Sequence, residues 1–179
     1  PAPCASPLMK PLQQKIGLWF TLAGWVLLLL LLAFFARGFL EREENPNRAA
    51  RAVDAGKGQL EVMLQRNRAG HYVAPGSING VPVNFLVDTG ASLVAVDETL
   101  GSRLGLERGA SSSVQTANGV VRGWRTLIAS LNVAGIEQHG VPAILLPALG
   151  EQVLLGMSFL KRVELVQRDD TLRLRHSGN

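Results

Sequence analysis

Between residues 59 and 175 the chain repeats one pattern: a short run with apolar residues at every second position, then a turn built on small or polar residues. Leu60, Val62 and Leu64 alternate with Glu61, Met63 and Gln65, the mark of a strand with one buried face. Asn79-Gly80 and Asn118-Gly119 each separate two such runs. Asn-Gly is the pair that two-residue hairpin turns favour, because both central residues take positive φ. The pattern predicts hairpins of 72–78 with 81–87, 114–117 with 120–124, 127–133 with 136–146 and 163–167 with 171–175. Pro82, at the start of its run, marks an edge. Asp97 can cap a short helix with Leu100 and Leu104 on one face and Gly105 as its stop. A second helical turn or two is expected over 157–162. Many short strands at this spacing predict an all-β barrel or sandwich.

One of these strands ends in an acid. Phe85-Leu86-Val87 runs straight into Asp88-Thr89-Gly90-Ala91-Ser92. The three apolar residues read as a buried strand, and Gly90 permits a tight turn that a Cβ would resist. A carboxylate at the end of a core strand is costly unless it is paired or hydrogen-bonded, so Asp88 calls for a functional explanation. The alternative is an Asx-turn in which Asp88 merely caps a β-turn.

Asp88-Thr89-Gly90-Ala91-Ser92 resembles the active-site loop of aspartic proteases, and Ala91 makes it look more like the retroviral (retropepsin) branch than the pepsin branch. Asn118-Gly119 resembles the flap tip of that family. Leu154-Leu155-Gly156 resembles the segment that closes its lobe. With Gly70-His71-Tyr72, Ile78-Asn79-Gly80 and Leu155-Gly156-Met157-Ser158-Phe159-Leu160, the chain looks like the membrane-anchored, single-lobe, retropepsin-like proteases of bacteria over residues 59–175. The resemblance implies a single-lobe acid-protease barrel with short helices. It implies that Asp88 is catalytic, that Thr89, Gly90, Ala91 and Ser92 support it, and that Ala117, Asn118 and Gly119 form a flap over the substrate. Thr89 would hydrogen-bond across a dimer, and the Gly90 backbone would approach the carboxylates.

Peptide hydrolysis by carboxylates needs two of them, one to accept a proton from water and one to donate to the carbonyl oxygen. Two carboxylates about 3 Å apart cannot both ionise, so they share a proton and fill both roles. Residues 59–179 hold one Asp-Thr-Gly, which demands a homodimer with one Asp88 from each copy. The substrate is then a protein or peptide bound as an added strand, and the chemistry calls for no cofactor and no metal. The reading from another class is a non-catalytic dimerisation or peptide-binding module on the same fold.

Composition narrows the rest. The formal charge is +4 and the pI about 9.8, but Lys and Arg are scattered without a run of five. Nucleic-acid binding needs a basic stripe, so no nucleic-acid partner is expected. Cys4 is the single cysteine, which rules out a disulfide framework. His71, His139 and His176 lack second ligands at helical spacing, so no zinc site is expected. Gly156-Met157-Ser158 opens like a nucleophile elbow but lacks the second glycine. Asp54-Ala55-Gly56 lacks both the threonine and the apolar strand of the Asp88 loop.

Residues 1–15 form a tail. Residues 16–36 are an uncharged run of 21 residues that includes six consecutive leucines, Leu27 to Leu32. At 1.5 Å per residue the run spans a bilayer core of roughly 30 Å. It exceeds an ordinary signal-peptide core, and residues 33–36 are no clean Ala-x-Ala site, so an uncleaved single-pass anchor is expected. Residues 37–58 read as a charged tether, helical over 47–55, and residues 59–179 as the protease domain. Lys10 and Lys15 precede the run, while Arg37, Arg42, Arg48 and Arg51 follow it. That count favours a cytoplasmic C-terminal side, but long domains can translocate regardless of charge. The resemblance alone implies a periplasmic or extracytoplasmic protease domain.

Overall fold

The computed structural model describes residues 10–56, 58–116 and 119–177. The chain forms two compact units, Pro1–Arg42 and Glu43–Asn179. The first is carried by helix α1, Lys10–Glu44. Its stretch Thr21–Gly38 has a mean hydropathy of 1.9, long and apolar enough to cross a membrane. Leu27 to Leu32 are all exposed, and six consecutive residues cover every face of a helix with 3.6 residues per turn. The stretch offers no polar side to water.

Among the described residues, the second unit is built from eleven strands in two sheets. The smaller sheet has four antiparallel strands, β1 (Val53–Gly56), β2 (Gln59–Gln65), β11 (Thr171–Ser177) and β10 (Glu164–Arg168), in that spatial order. Val62, Leu64, Leu172 and Leu174 alternate inward from β2 and β11 and are buried. The larger sheet contains β3 (Val73–Ile78), β4 (Val81–Val87), β5 (Val94–Asp97), β6 (Ser111–Thr116), β7 (Gly119–Val133), β8 (Ile136–Leu146) and β9 (Val153–Leu155). Its order is β3-β4-β9-β5-β8-β7-β6, and β3 also pairs with β7 at Gly76↔Val133 to Ile78↔Leu131. That second pairing closes the sheet on itself around Ile78, Phe85, Ile128, Leu131, Ile136, Leu155, Phe159 and Leu160, all fully buried.

Two of the expected turns are in place, and that at Asn118-Gly119 lies partly outside the described residues. Asn79 and Gly80 take φ of 50° and 82°, and Ala134 and Gly135 take 50° and 107°. Helix α2, Glu98–Arg103, is capped by the Asp97 side chain on the Thr99 amide, and α3 is Met157–Leu160.

Three expectations need correction. Residues 47–55 are not helical: they turn and then enter β1, which runs antiparallel to β2. Side-chain amides explain this. Asn47 is buried; its Nδ2 donates to the carbonyls of Gln65 and Val73, and its Oδ1 accepts the Gln65 amide. Asn45 Nδ2 donates to Asn84 Oδ1. These bonds stitch the segment to β2, β3 and β4, so the compact unit takes in much of the expected tether. Next, residues 119–133 form one strand rather than two, because β7 answers β6 along its first half and β8 along most of its length. Finally, β4 is an edge over only part of its length. It lies between β3 and β9, but β9 covers only Phe85–Val87, which leaves the segment around Pro82 without a second neighbour.

Candidate active site

Asp88 follows the last residue of β4. Its amide donates to the Leu155 carbonyl on β9 at 3.1 Å, which extends the parallel pairing by one step. The Ala91 amide donates to the Asp88 carbonyl at 3.3 Å and closes the turn. The Gly90 amide donates to Asp88 Oδ1 at 2.9 Å. Gly90 is not among the residues of positive φ, so an inverted turn is not its role. A Cβ there would sit 3.2 Å from Asp88 Oδ1, and its absence leaves room around the carboxylate. Asp88 is half-buried, while Thr89, Gly90 and Ser92 are exposed.

A cavity of about 650 Å³ opens beside this carboxylate, lined in part by Asp88, Gly90, Ala91 and Ser92. Its floor is a second apolar cluster, separate from the main core: Ala95, Ile144 and Leu146, with Leu93, Val114, Leu149 and Leu154 packed against them. Ser112 to Thr116 of β6 form one wall. The strand partners of that wall begin at Gly119, whose carbonyl accepts the Thr116 hydroxyl at 2.8 Å. Ala117 and Asn118 lie outside the described residues. β6 and β7 pair antiparallel from Ser111↔Trp124 to Thr116↔Gly119, and Val120 on β7 is 67% exposed.

The rival constellations have structural explanations. Ser158 is buried and its hydroxyl accepts the Val94 amide at 3.0 Å, so it locks α3 to β5. Asp54 Oδ1 accepts the Gly56 amide at 2.8 Å. This repeats the Asp88–Gly90 bond, but on the exposed strand β1. His139 lies on β8 with its ring exposed beside Glu137.

The family profile described as "gag-polyprotein putative aspartyl protease" matches residues 74–162. The crystal structure of a retropepsin-like aspartic protease from Rickettsia conorii aligns at a TM-score of 0.58 and 31% identity, over 66% of this chain and 92% of that one. This chain belongs to the retropepsin-like aspartic proteases. Curated relatives of this retropepsin-like chain carry no stated activity. The Sinorhizobium "uncharacterized protein in cobV 5′ region" is 33% identical over 175 residues, which is 90% of this chain and 72% of its own length. The uncharacterized protein RP867 of Rickettsia prowazekii (strain Madrid E) is 29% identical over 115 residues, about half of its length. The fold is thus the expected single-lobe, all-β, retropepsin-like one with short helices.

Two features of the site were missed from the sequence. Leu149 reaches the cavity floor because Asp97 Oδ2 accepts the amides of Leu149 and Gly150 at 3.0 and 3.4 Å. The same carboxylate caps α2, so one buried acid fixes both segments. Its pKa is lowered, foremost by the Thr99 hydroxyl; burial opposes this, and the Thr99, Leu149 and Gly150 amides add to it. Arg125 also lines the cavity. It stands two residues after Gly123, hence on the same face of β7, a relation that carries no signal until the fold sets Gly123 against Ile144 and Leu146.

Proposed function

We propose that this retropepsin-like chain is a membrane-anchored aspartic endopeptidase whose reactive pair is Asp88 and the Asp88 of a second copy. One observation carries the reading. Asp88 is held at the mouth of an apolar cavity with one oxygen fixed by Gly90, and among the described residues it is the only acid lining that cavity. A lone carboxylate cannot both accept and donate the proton that peptide hydrolysis moves. A two-fold axis beside Asp88 supplies the second, and the pair shares one proton.

In this mechanism a water held between the two carboxylates loses a proton to the ionised member as it attacks the scissile carbonyl. The protonated member donates to the carbonyl oxygen, and the tetrahedral intermediate then collapses with a proton passed to the leaving amine. Gly90 orients the carboxylate, Ala91 and Ser92 shape the loop, and Thr89 meets the partner copy. The hairpin of Ala117, Asn118 and Gly119 covers the substrate and excludes water. An extended peptide lies along the cavity with apolar side chains on its floor. Thr21–Gly38 supports the membrane anchor by length and composition, and family resemblance supports an extracytoplasmic domain.

The test is turnover of a peptide mixture by wild type, Asp88→Asn and Asp88→Ala, with circular dichroism to establish folding. Both variants should fold and lose activity by about 10³-fold or more. Near wild-type turnover by folded Asp88→Ala would end the peptidase reading. Tight peptide binding with no cleavage by any form would favour the non-catalytic module.

A further inference from the structure

Arg125 is the one basic residue lining the cavity that Asp88 opens into, among the described residues. Its place is fixed by backbone on both sides. In the β7–β8 ladder it stands opposite Ile144, a floor residue. On the other side the Arg125 amide donates to Ala110 at 2.9 Å, and the Arg125 carbonyl accepts from Gly109 at 2.8 Å. The direction of its side chain follows from the strand period. A Cβ on Gly123 would meet Leu146, Leu145 and Ile144 within 3.0 Å, so that face of β7 looks onto the cavity floor, and Arg125 shares it.

Among the described residues the Arg125 guanidinium has no ion-pair partner, whereas Arg66, Arg108, Arg173 and Arg175 are each paired with an acid. The contrast with Arg108 is informative. Arg108 is bound to Glu98 and lies over the Trp124 ring at 4.9 Å, next along β7 and so on the opposite face. That arginine is structural. Arg125 instead brings five N–H donors with no acceptor beside an apolar floor.

Building on the peptidase reading, we propose that Arg125 is a specificity-determining residue that selects a substrate carboxylate. A peptide bound as a strand places every second side chain on the same face, about 6.6 Å apart. An aliphatic side chain seated on Ile144, Leu146, Leu149 and Leu154 therefore brings the side chain two residues away toward Arg125. The preferred pattern is an aliphatic residue and an acidic residue separated by one position. The same chemistry could be met by the α-carboxylate of a short peptide end, and the two sources are separable.

The experiment uses the chain in detergent micelles. A peptide that it cleaves is remade with Glu, Gln or Lys two positions from the aliphatic residue, each with a free or an amidated C-terminus. Wild type should favour Glu over Gln by about fivefold in kcat/KM, the size of a solvent-touched ion pair, and Lys should be worst. Arg125→Gln should level the series, Arg125→Lys should keep its order, and Arg125→Glu should invert it. The wild-type preference should shrink as salt rises. A Glu preference indifferent to amidation assigns the contact to a side chain; an advantage of the free over the amidated C-terminus that is common to the Glu, Gln and Lys peptides and lost in Arg125→Gln assigns it to the peptide end.

No charge preference in wild type, or the same preference in Arg125→Gln, overturns the inference while leaving the peptidase reading intact. Equal loss for all peptides with a shifted pH profile also overturns it, since Arg125 would then act on Asp88. If nothing is cleaved, the peptidase reading fails by itself. Fluorescence anisotropy of labelled peptides carrying Glu or Gln two positions from a leucine, on Asp88→Asn, then decides: stronger binding of the Glu peptide, abolished by adding Arg125→Gln, sustains the role of Arg125, and equal binding overturns it.

Discussion

The carbonyl of Ala91 accepts the amide of Met157 at 2.8 Å, which ties the loop carrying Asp88 to the first residue of α3. The residue between the lobe-closing strand and that helix is Gly156. Its φ is ordinary at −89°, so the need for glycine is steric. A Cβ there would lie 2.2 Å from the Leu93 carbonyl oxygen and 2.7 Å from that of Ala91. Both are backbone atoms of the segment that follows Asp88 and cannot swing aside.

Gly156→Ala should therefore destabilise the fold by about 1–3 kcal/mol, the range for overpacking. Because the displaced atoms belong to the Asp88 loop, turnover should fall further than the folded fraction does. Denaturant melts together with kcat/KM at a temperature where the variant is fully folded check this. Unchanged stability would mean that the loop yields freely.

For Gly119 the argument rests on backbone conformation. It has φ of +113°, a region that side chains with a Cβ avoid, and open space around it. Gly119→Val should impair turnover by about tenfold or more, with a stability loss of only about 1–2 kcal/mol. Gly119 belongs to neither apolar cluster, which is why function should suffer more. Equal loss of both would make the hairpin purely structural.

What was legible in the sequence was local. Asn79-Gly80 and Ala134-Gly135 announce turns because two adjacent residues set them. Asp88 is legible because an apolar strand leads into it. What escaped depends on partners far along the chain. Asn47 reads as an ordinary polar residue until Gln65 and Val73 offer it main-chain groups. Leu149 joins the cavity only through a carboxylate at position 97. Arg125 becomes notable only when Asp88 and the Ile144 floor are brought beside it. No periodicity carries that information.

Asp97 gives the stability a pH dependence of known sign. Its carboxylate is held below the ordinary value of 3.8, foremost by the Thr99 hydroxyl. A depressed acid stabilises the fold above its unfolded-state pKa, and the contribution is lost as pH falls through the folded-state value. Asp97→Asn replaces an acceptor with an amide that confronts the Leu149 and Gly150 donors. At pH 7 it should cost about 1–3 kcal/mol and raise KM as Leu149 loosens. Thermal melts from pH 7 down to pH 2.5 should show the gap to wild type closing below about pH 4. A gap that stays constant would mean that Asp97 charge is irrelevant to the fold.

On the proposed mechanism, the lone Asp88 makes activity a property of pairs. Residues 43–179, which form a compact unit, should lose specific activity on dilution as dimers dissociate. The exposed Thr89 beside half-buried Asp88 is the residue expected to bond across the axis, twice by symmetry. Two hydrogen bonds of about 0.7 kcal/mol each make Thr89→Val weaken the dimer about tenfold. The concentration of half-maximal activity should rise by the same factor, while turnover at saturating concentration falls less. The proposed anchoring through Thr21–Gly38 would confine the copies to a surface and raise their effective concentration, so the 179-residue chain in vesicles should resist bulk dilution. Sedimentation and activity on one dilution series decide the matter. A strict monomer of residues 43–179 with undiminished turnover would show that a single Asp88 suffices, and the paired mechanism would have to be abandoned.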